Sequence, residues 1–284
     1  MNNKKKCTLL VKLLQEGWFE NENEIIPWII KRAVLFNDQQ AHSLKQLIPC
    51  DSIIRIKEYY KKKYVNKGGL KLEKALIDFN ISVNNKILLD CGASTGGFTD
   101  CLMQKGAKIV YAVDGGCGQL SSKLLNNARV INMEKTNLMD HTLTQLSPKP
   151  DIITLDLNNI SLRESVVICK EILKDEGIII ALIKPIYEVE SKEIRRTGLI
   201  NDREIIKDIL HNLCDYFIEK DLYILGLTYS PIRGNGGTLE YFICLGFNTN
   251  NFVSINSEYD NYINECTTKS FLIEKFDKNT YIPD

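Results

Sequence analysis

The chain has 284 residues, of which 44% are hydrophobic and 25% are charged. This composition is ordinary for a globular protein and excludes a wholly disordered chain. No apolar run approaches the roughly 18 residues that span a bilayer, and the basic start of the chain lacks the apolar core of a secretory signal. The nine cysteines include no C-x-x-C pair, which argues against a disulfide framework or a zinc site. We therefore expect a cytoplasmic protein with neither a membrane segment nor a metal.

The charge sums to zero but is unevenly distributed. Residues 1–74 carry 15 basic and 8 acidic side chains, and the segment from Arg55 to Lys74 is the most basic, with eight basic and two acidic residues. Such a segment is typical of a surface that contacts nucleic-acid phosphates. A solvated, lysine-rich linker explains the same composition, and charge alone leaves both interpretations open.

The first sixty residues are predicted to form a small α+β module. The leucine spacing in Leu9–Leu14 predicts a helix that stops at Gly17. Ile25–Ile30 predicts a second short helix, with Pro27 in its first turn, where proline is tolerated. Two short strands are predicted next, at Ala33–Phe36 and Ile53–Ile56.

From about residue 86 the pattern changes to strands that alternate with helices. Apolar runs predict four strands, at Lys86–Asp90, Lys108–Asp114, Asp151–Asp156 and Ile178–Ile183. A helix is expected from Phe98 to Lys105. This alternation predicts a mainly parallel sheet that is covered on both faces. After residue 248 the chain is polar, and only a weak helix is expected, around Ile263 and Phe271–Ile273.

Charged side chains stand at the ends of these four strands. They are Asp90, Asp114, Asp156 and Lys184. A single acid at a strand end is common in turns, but parallel strands end at one edge of the sheet, where ligands of such folds bind. The sequence therefore predicts a ligand site at this edge.

The segment Asp90–Phe98 has the pattern D-x-G-x-x-x-G-G-F and lies between a predicted strand and a predicted helix. Its glycines permit a tight turn and a close approach of a ligand to the backbone. An acid at the start of this loop suits an ammonium or hydroxyl group, and Asp114 is placed to accept hydrogen bonds from ribose hydroxyls. A positively charged cofactor that contains ribose fits both acids, which predicts S-adenosylmethionine.

Six motifs carry a resemblance to a known family. They are Lys67–Leu72, Asp90–Phe98, Val113–Leu120, Ile160–Leu162, Ile183–Pro185, and Ser230–Gly234 with Glu240–Tyr241. Together they resemble the TlyA/haemolysin A family of FtsJ-like ribosomal RNA 2′-O-methyltransferases, over about residues 64–247. The N-terminal module resembles the family's S4 RNA-binding domain more weakly, because Thr8-Leu9-Leu10 replaces the opening Arg-Leu-Asp.

The resemblance implies an α/β fold, with a Rossmann-like methyltransferase domain and a small S4-like α+β domain before it. The expected boundaries are 1–60 for a degenerate S4-like domain, 61–247 for the methyltransferase domain and 248–284 for a tail. It implies ribosomal RNA or a ribosomal subunit as partner and a Lys-Asp-Lys-Glu catalytic tetrad at Lys71, Asp156, Lys184 and Glu240. The expected cofactor-binding residues are Asp90, Gly92, Ala93, Ser94, Gly96, Gly97, Phe98, Asp114 and Asn137.

The tetrad makes chemical sense for methyl transfer to a hydroxyl. A ribose 2′-hydroxyl must lose its proton as it attacks the methyl group, and a lysine whose pKa is lowered by burial and neighbouring cations can accept that proton. Lys184 is the predicted base and Lys71 the neighbouring cation. Asp156 would orient the ammonium or the hydroxyl, and Glu240 would hold the lysines.

Four departures from the family pattern leave the acceptor open. Where the family has Ser-Arg, Ser-Phe, Gln-Phe and a late Asn, this chain has Asn66-Lys67, Asn158-Asn159, Ile186-Tyr187 and Thr238-Leu239. One alternative is thus a divergent enzyme that methylates another RNA, a peptide or a small molecule. Another, from a different class, is a haemolysin-like protein or an RNA-binding protein without catalysis.

Overall fold

The computed structural model describes residues 6–19, 21–30, 32–56, 63–248 and 253–273. The chain divides into two compact units, whose described residues are 6–56 and 63–273. Within these ranges, no helix is both long and apolar enough to cross a membrane.

Residues 6–56, the described part of the N-terminal unit, form two helices and five short strands. They are β1 (Lys6–Thr8), α1 (Leu9–Gln15), α2 (Glu22–Ile30), β2 (Val34–Phe36), β3 (Gln39–Gln40), β4 (Leu47–Pro49) and β5 (Ile54–Ile56). β1 pairs with β4, and β2 lies between β3 and β5; all of these pairings are antiparallel. Both predicted helices and both predicted strands are present. Their apolar faces form one small core, which includes Leu9, Leu13, Ile25 and Val34.

The position of Pro27 was predicted wrongly. The backbone N–H of Glu24 donates to the side chain of Asn21, and the helix begins at Glu22 rather than near Ile25. Pro27 therefore lies in the interior of α2 instead of its first turn. An interior proline has no N–H to donate to the preceding turn, so this helix lacks one backbone hydrogen bond.

The second unit is an α/β sandwich around a seven-stranded sheet. Its strands are β6 (Ile87–Cys91), β7 (Ile109–Asp114), β8 (Val130–Glu134), β9 (Ile152–Leu155), β10 (Ile178–Ile183), β11 (Tyr223–Tyr229) and β12 (Tyr241–Gly246). Its helices are α3 (Gly68–Asp78), α4 (Gly97–Gln104), α5 (Ser122–Leu125), α6 (Leu162–Ile172), α7 (Pro185–Glu188), α8 (Lys192–Thr197), α9 (Arg203–Glu219) and α10 (Tyr259–Phe271). The four strands predicted after residue 86 are β6, β7, β9 and β10.

The strand order is β11-β12-β10-β9-β6-β7-β8. β12 runs antiparallel to both of its neighbours, whereas the strands from β10 to β8 pair in parallel. Ile183 at the end of β10 is paired with Tyr241 at the start of β12. Lys184 and Glu240 directly flank this pair, so they lie opposite each other at the end of the sheet where β6, β7 and β9 also end.

Apolar residues cover both faces of the sheet. α3, α4 and α5 supply residues such as Leu72, Leu102 and Leu124 to one core, and α6, α9 and α10 supply the other. This arrangement confirms the predicted α/β class.

The C-terminal helix belongs to the second unit rather than to a separate tail from residue 248. Ile263 is completely buried in the core shared with α9 and β11, and the hydroxyls of Tyr241 and Ser270 lie 2.7 Å apart. The expected apolar residues at 272 and 273 lie beyond the helix, and Leu272 is exposed. The sequence predicts this helix only weakly because two of the four buried residues of α10, Thr267 and Ser270, are polar.

Candidate active site

The loop between β6 and α4 packs closely against its surroundings at two glycines. Gly92 and Gly96 have φ values of +85° and +99°, a region that favours glycine. A Cβ on Gly92 would lie 2.3 Å from the carbonyl oxygen of Asp156, and one on Gly96 would lie 2.2 Å from Leu124 Cδ1. The loop therefore reaches β9 on one side and α5 on the other only because side chains are absent.

Asp114 joins this loop to the one after β7. One carboxylate oxygen accepts from the backbone N–H of Ser94 at 2.8 Å, and the other accepts from Gly116 at 2.7 Å. The amide oxygen of Asn137 lies 2.8 Å from where a Cβ on Gly115 would stand. The structure thus brings the predicted cofactor residues Asp114, Ser94 and Asn137 together, and it leaves the Asp114 side chain partly exposed.

Asp90 lies beneath the loop instead of facing the solvent. It is completely buried and accepts hydrogen bonds from the hydroxyls of Thr99 at 2.6 Å and Thr154 at 2.9 Å. Burial raises the pKa of its carboxyl group to about 6, although the two hydroxyls act in the opposite direction. Phe98 is also buried, against Phe242. In this arrangement both residues support the loop from below.

The ammonium group of Lys184 is held by three oxygen atoms. Its Nζ lies 2.5 Å from a carboxylate oxygen of Asp156 and donates to the carbonyl of Leu157 at 3.0 Å and to the side chain of Asn158 at 2.8 Å. An ammonium has three N–H groups, so these acceptors engage all of them. Asn158, which the sequence marked only as a departure from the family pattern, is thus part of the cluster.

Lys71 forms an ion pair with Glu240, and each side chain is only about 5% exposed. Gly234 packs against this pair, since a Cβ on Gly234 would lie 2.1 Å from a carboxylate oxygen of Glu240 and would displace that side chain. Removing one member of such a buried pair leaves an unpaired charge, which typically costs about 3–5 kcal/mol.

Ion pairs compensate much of the positive charge in the described part of the basic segment. Lys71 is buried, while Lys63 pairs with Glu73 and Lys74 with Asp78. These lysines are neutralised within the unit. Residues 57–62, which carry further basic side chains, lie outside the described residues.

Lys67 is the residue that sequence reasoning missed. It lies one turn before Lys71 at the start of α3, and its pKa is lowered by burial and by the charge of Lys71, while Glu240 and Asp156 oppose the change. Lys67 therefore belongs to the same electrostatic cluster as the predicted tetrad. The available signal was its position, since it stands where the family pattern has arginine.

Asn66 connects the start of α3 to the glycine loop. Its side chain donates to the hydroxyl of Thr95 at 2.6 Å and accepts from the backbone N–H of Gly68 at 2.7 Å. A Cβ on Gly97 would lie 1.8 Å from its amide oxygen. Asn66 thus couples the helix that carries Lys71 to the loop predicted to bind the cofactor.

The family model for FtsJ-like methyltransferases matches residues 64–247 of this chain. The chain belongs to this family. Hemolysin A of Brachyspira hyodysenteriae is 37% identical over 80% of this chain and 94% of its own length. The 16S/23S rRNA (cytidine-2′-O)-methyltransferase TlyA of Mycobacterium tuberculosis is 33% identical over 67% of this chain and 71% of its own length.

A solved structure named as a hemolysin of Streptococcus thermophilus is similar across both units of this FtsJ-like methyltransferase. It superposes with a TM-score of 0.70 at 31% identity and covers 94% of this chain and 96% of its own. The resemblance to the TlyA/haemolysin A family is therefore confirmed.

The site consists of two adjacent groups of residues, one on each side of β6. On one side of β6, the glycine loop and Asp114 present backbone groups and a carboxylate. On the other side, at the ends of β9 and β10, Asp156 and Lys184 form a polar cluster. Among the described residues, no group of three or more His, Cys, Asp or Glu side chains is arranged to hold a metal ion.

Proposed function

We propose that this chain is an S-adenosylmethionine-dependent 2′-O-methyltransferase that acts on ribosomal RNA. The observation that carries the proposal is the Lys184–Asp156–Asn158 cluster, which lies beside a glycine loop in a chain of the FtsJ-like family. Relatives named as rRNA (cytidine-2′-O)-methyltransferases support the choice of acceptor.

The residues present fit the proposed cofactor. The Asp114 carboxylate is held by two backbone N–H groups and is partly exposed, so it retains lone pairs for ribose hydroxyls. The backbone from Gly92 to Gly97 can be approached closely because its glycines lack side chains. Ala93, Ser94 and Asn137 complete the proposed binding residues, with Asp90 and Phe98 supporting them. When bound, the cofactor supplies an electrophilic methyl group on a sulfonium.

The crowding of three lysines, Lys67, Lys71 and Lys184, supports a lysine as the base. A cation close to another favours the neutral form, and the pKa of Lys67 is lowered by burial and by the charge of Lys71. A neutral lysine has a lone pair for the hydroxyl proton.

Lys184 is the proposed base, because it stands at the end of β10 next to the loop that follows β9. A neutral lysine has two N–H groups and one lone pair, so it can keep only two of its three present acceptors. The lone pair then accepts a hydrogen bond from the ribose hydroxyl. Asp156 keeps Nζ in position, and the Lys71–Glu240 pair contributes a fixed buried cation nearby. The proton of the hydroxyl ends on Lys184 Nζ.

The N-terminal unit is proposed to bind RNA because it resembles an S4 domain. Residues 1–60 carry nine basic and seven acidic side chains, so most of the positive charge of residues 1–74 lies in residues 61–74, which are proposed to add phosphate contacts. We propose residues 1–60 as an S4-like domain and the rest of the chain as the catalytic unit. We propose that the protein acts in the cytoplasm, in keeping with ribosomal subunits as the proposed acceptor.

The test is transfer of labelled methyl from S-adenosylmethionine to purified ribosomal subunits and free ribosomal RNA, followed by nucleoside mass spectrometry. Lys184→Ala is expected to lower turnover about 10²–10⁴-fold, the usual loss of a general base, while cofactor affinity stays near the wild-type value. Lys184→Arg is not expected to restore activity, because guanidinium does not release its proton.

Lys108→Ala, an exposed lysine at the opposite end of β7, is the matched control and is expected to retain full activity. Transfer to a nucleobase, or no labelling of any RNA, would contradict the proposed reaction. If Lys184→Ala keeps more than about a tenth of wild-type turnover, Lys184 is not the base. Lys67→Ala and Lys71→Ala then identify which other lysine fills that role.

A further inference from the structure

A polar cleft opens beside the lysine cluster and is not used by the proposed methyl transfer itself. It has a volume of about 410 Å³. Its lining residues are Asn159, Ile160, Ser161, Glu164, Ile186, Tyr187 and Arg195. All of these belong to the second unit, and they come from the segment after β9, from the first turn of α6, and from α7 and α8.

The cleft lies on the acceptor side of the sheet. Asn159 follows Asn158, whose side chain accepts from Lys184, and the backbone N–H of Tyr187 donates to the carbonyl of Lys184 at 2.9 Å. The strands that carry this region are β9 and β10, whereas Asp114 ends β7 on the other side of β6. The cleft therefore adjoins Lys184, on the side of β6 away from Asp114, and lies next to the position where a ribose hydroxyl would meet Lys184.

The walls of the cleft are held in place by a buried carboxylate. Glu188 accepts from the backbone N–H of Leu162 and the hydroxyl of Ser161, both at 2.7 Å, and pairs with Arg163 at 3.1 Å. These contacts join the start of α6 to α7. The cleft is therefore formed before any ligand enters.

The chemistry of the lining matches a nucleobase. Tyr187, Ile160 and Ile186 provide an aromatic ring and apolar surface on which a base can stack. Glu164 provides an acceptor and Arg195 a donor, and the Arg195 side chain is anchored through its Nε, which donates to the Val189 carbonyl at 2.6 Å. A carboxylate accepts well from the exocyclic amino group of cytosine, whereas uracil presents a carbonyl oxygen at that position.

We infer that this cleft binds the base of the methylated nucleotide, and that Glu164 selects cytosine over uracil by accepting from its 4-amino group. The inference rests on the proposed function and adds to it the identity of the acceptor base. Relatives of this chain carry cytidine-2′-O in their names, which favours cytosine over adenine and guanine, the other bases with an exocyclic amino group.

The experiment begins with the full-length protein, labelled S-adenosylmethionine and ribosomal subunits, and identifies the methylated nucleoside by mass spectrometry. An RNA fragment spanning the mapped site is then made in two forms, one with cytosine and one with 2-pyrimidinone, which lacks the 4-amino group. The wild type is expected to prefer cytosine about 10- to 100-fold in kcat/KM, because the analogue lacks the hydrogen bond from the 4-amino group to the Glu164 carboxylate.

Glu164→Leu is expected to reduce this preference to less than about threefold, since the acceptor of the amino group is gone. Glu164 is exposed, so this variant is expected to fold and to bind S-adenosylmethionine as the wild type does. Glu171→Leu, an exposed acid near the far end of the same helix, is the matched control and is expected to keep the full preference.

The two levels of the proposal fail in different ways. No methyl transfer to any RNA would overturn the proposed function and this inference with it. Methylation of a ribose attached to uracil, adenine or guanine would leave the proposed function intact and overturn the inference. The inference would also be overturned if Glu164→Leu methylates cytidine and keeps the wild-type preference for cytosine over 2-pyrimidinone.

Discussion

Replacing Gly92 with alanine tests whether the glycine loop is shaped by its contact with Asp156. Alanine at a positive φ costs about 1–2 kcal/mol. The new Cβ would also stand 2.3 Å from the Asp156 carbonyl oxygen, well inside contact distance, and a backbone atom cannot move aside as a flexible side chain can. Overpacking of this kind adds about 1–3 kcal/mol, so the free energy of unfolding is expected to fall by about 2–5 kcal/mol.

Gly118→Ala is the matched control, because Gly118 also has a positive φ, of +66°, but a Cβ there would meet nothing within 4 Å. Its expected cost is the backbone strain alone, about 1–2 kcal/mol. Urea unfolding measures both variants. Because the clash also displaces Asp156, methyl transfer by Gly92→Ala is expected to fall by up to about 100-fold. Equal losses of stability in the two variants would refute the reasoning.

Three further predictions concern the acids at the strand ends and the N-terminal unit. The pKa of Asp90 rises on folding from 3.8 to about 6. The wild-type free energy of unfolding should therefore fall as the pH rises through this range. At 1.36 kcal/mol per pKa unit, the loss amounts to about 3 kcal/mol. Urea unfolding should therefore show Asp90→Asn gaining about that much stability, relative to the wild type, between pH 4 and pH 7; a constant difference would contradict the buried ionisation. Asp114→Ala is expected to weaken S-adenosylmethionine binding by about 1.5–3 kcal/mol in calorimetry, since hydrogen bonds to a charged group are lost; unchanged affinity would exclude Asp114 from the cofactor site. Binding of ribosomal RNA is expected to weaken steeply with salt in filter-binding titrations, and an affinity independent of salt would argue against phosphate contacts.

Four of the parallel strands, β6, β7, β9 and β10, could be predicted from the sequence because each is a short apolar run with a charged residue at its end. β8 (Val130–Glu134) contains no buried residue and has no such run, so no prediction covered it. Asp156 and Lys184 could be predicted to meet for the same reason, since neighbouring parallel strands end at one edge. α9 was also readable, because Ile206, Leu210, Leu213 and Phe217 recur at helical spacing, yet no prediction covered it.

Neither helix α3 nor the ion pair of Lys71 with Glu240 could be predicted from the neighbouring sequence. α3 begins with two glycines, which are poor helix formers, and its lysines read as a solvated surface. Burial of Lys71 depends on Glu240, a partner 169 residues away in the chain. Nothing within the α3 segment distinguishes the buried Lys71 from the partly exposed Lys67 and Lys74, so only the resemblance to a family singled it out.

The pairing of Lys71 with Glu240 has a consequence for how the protein is made. Ribosomes synthesise chains from the N-terminus, and domains generally fold as units. While Glu240 and β12 are still missing, docking α3 on the sheet would bury an unpaired ammonium, which is strongly unfavourable. The proposed catalytic edge is therefore expected to close only after β12 has been synthesised. A growing chain that lacks β12 is expected to be inactive in the proposed methyl transfer, so activity would begin only when that strand joins the sheet.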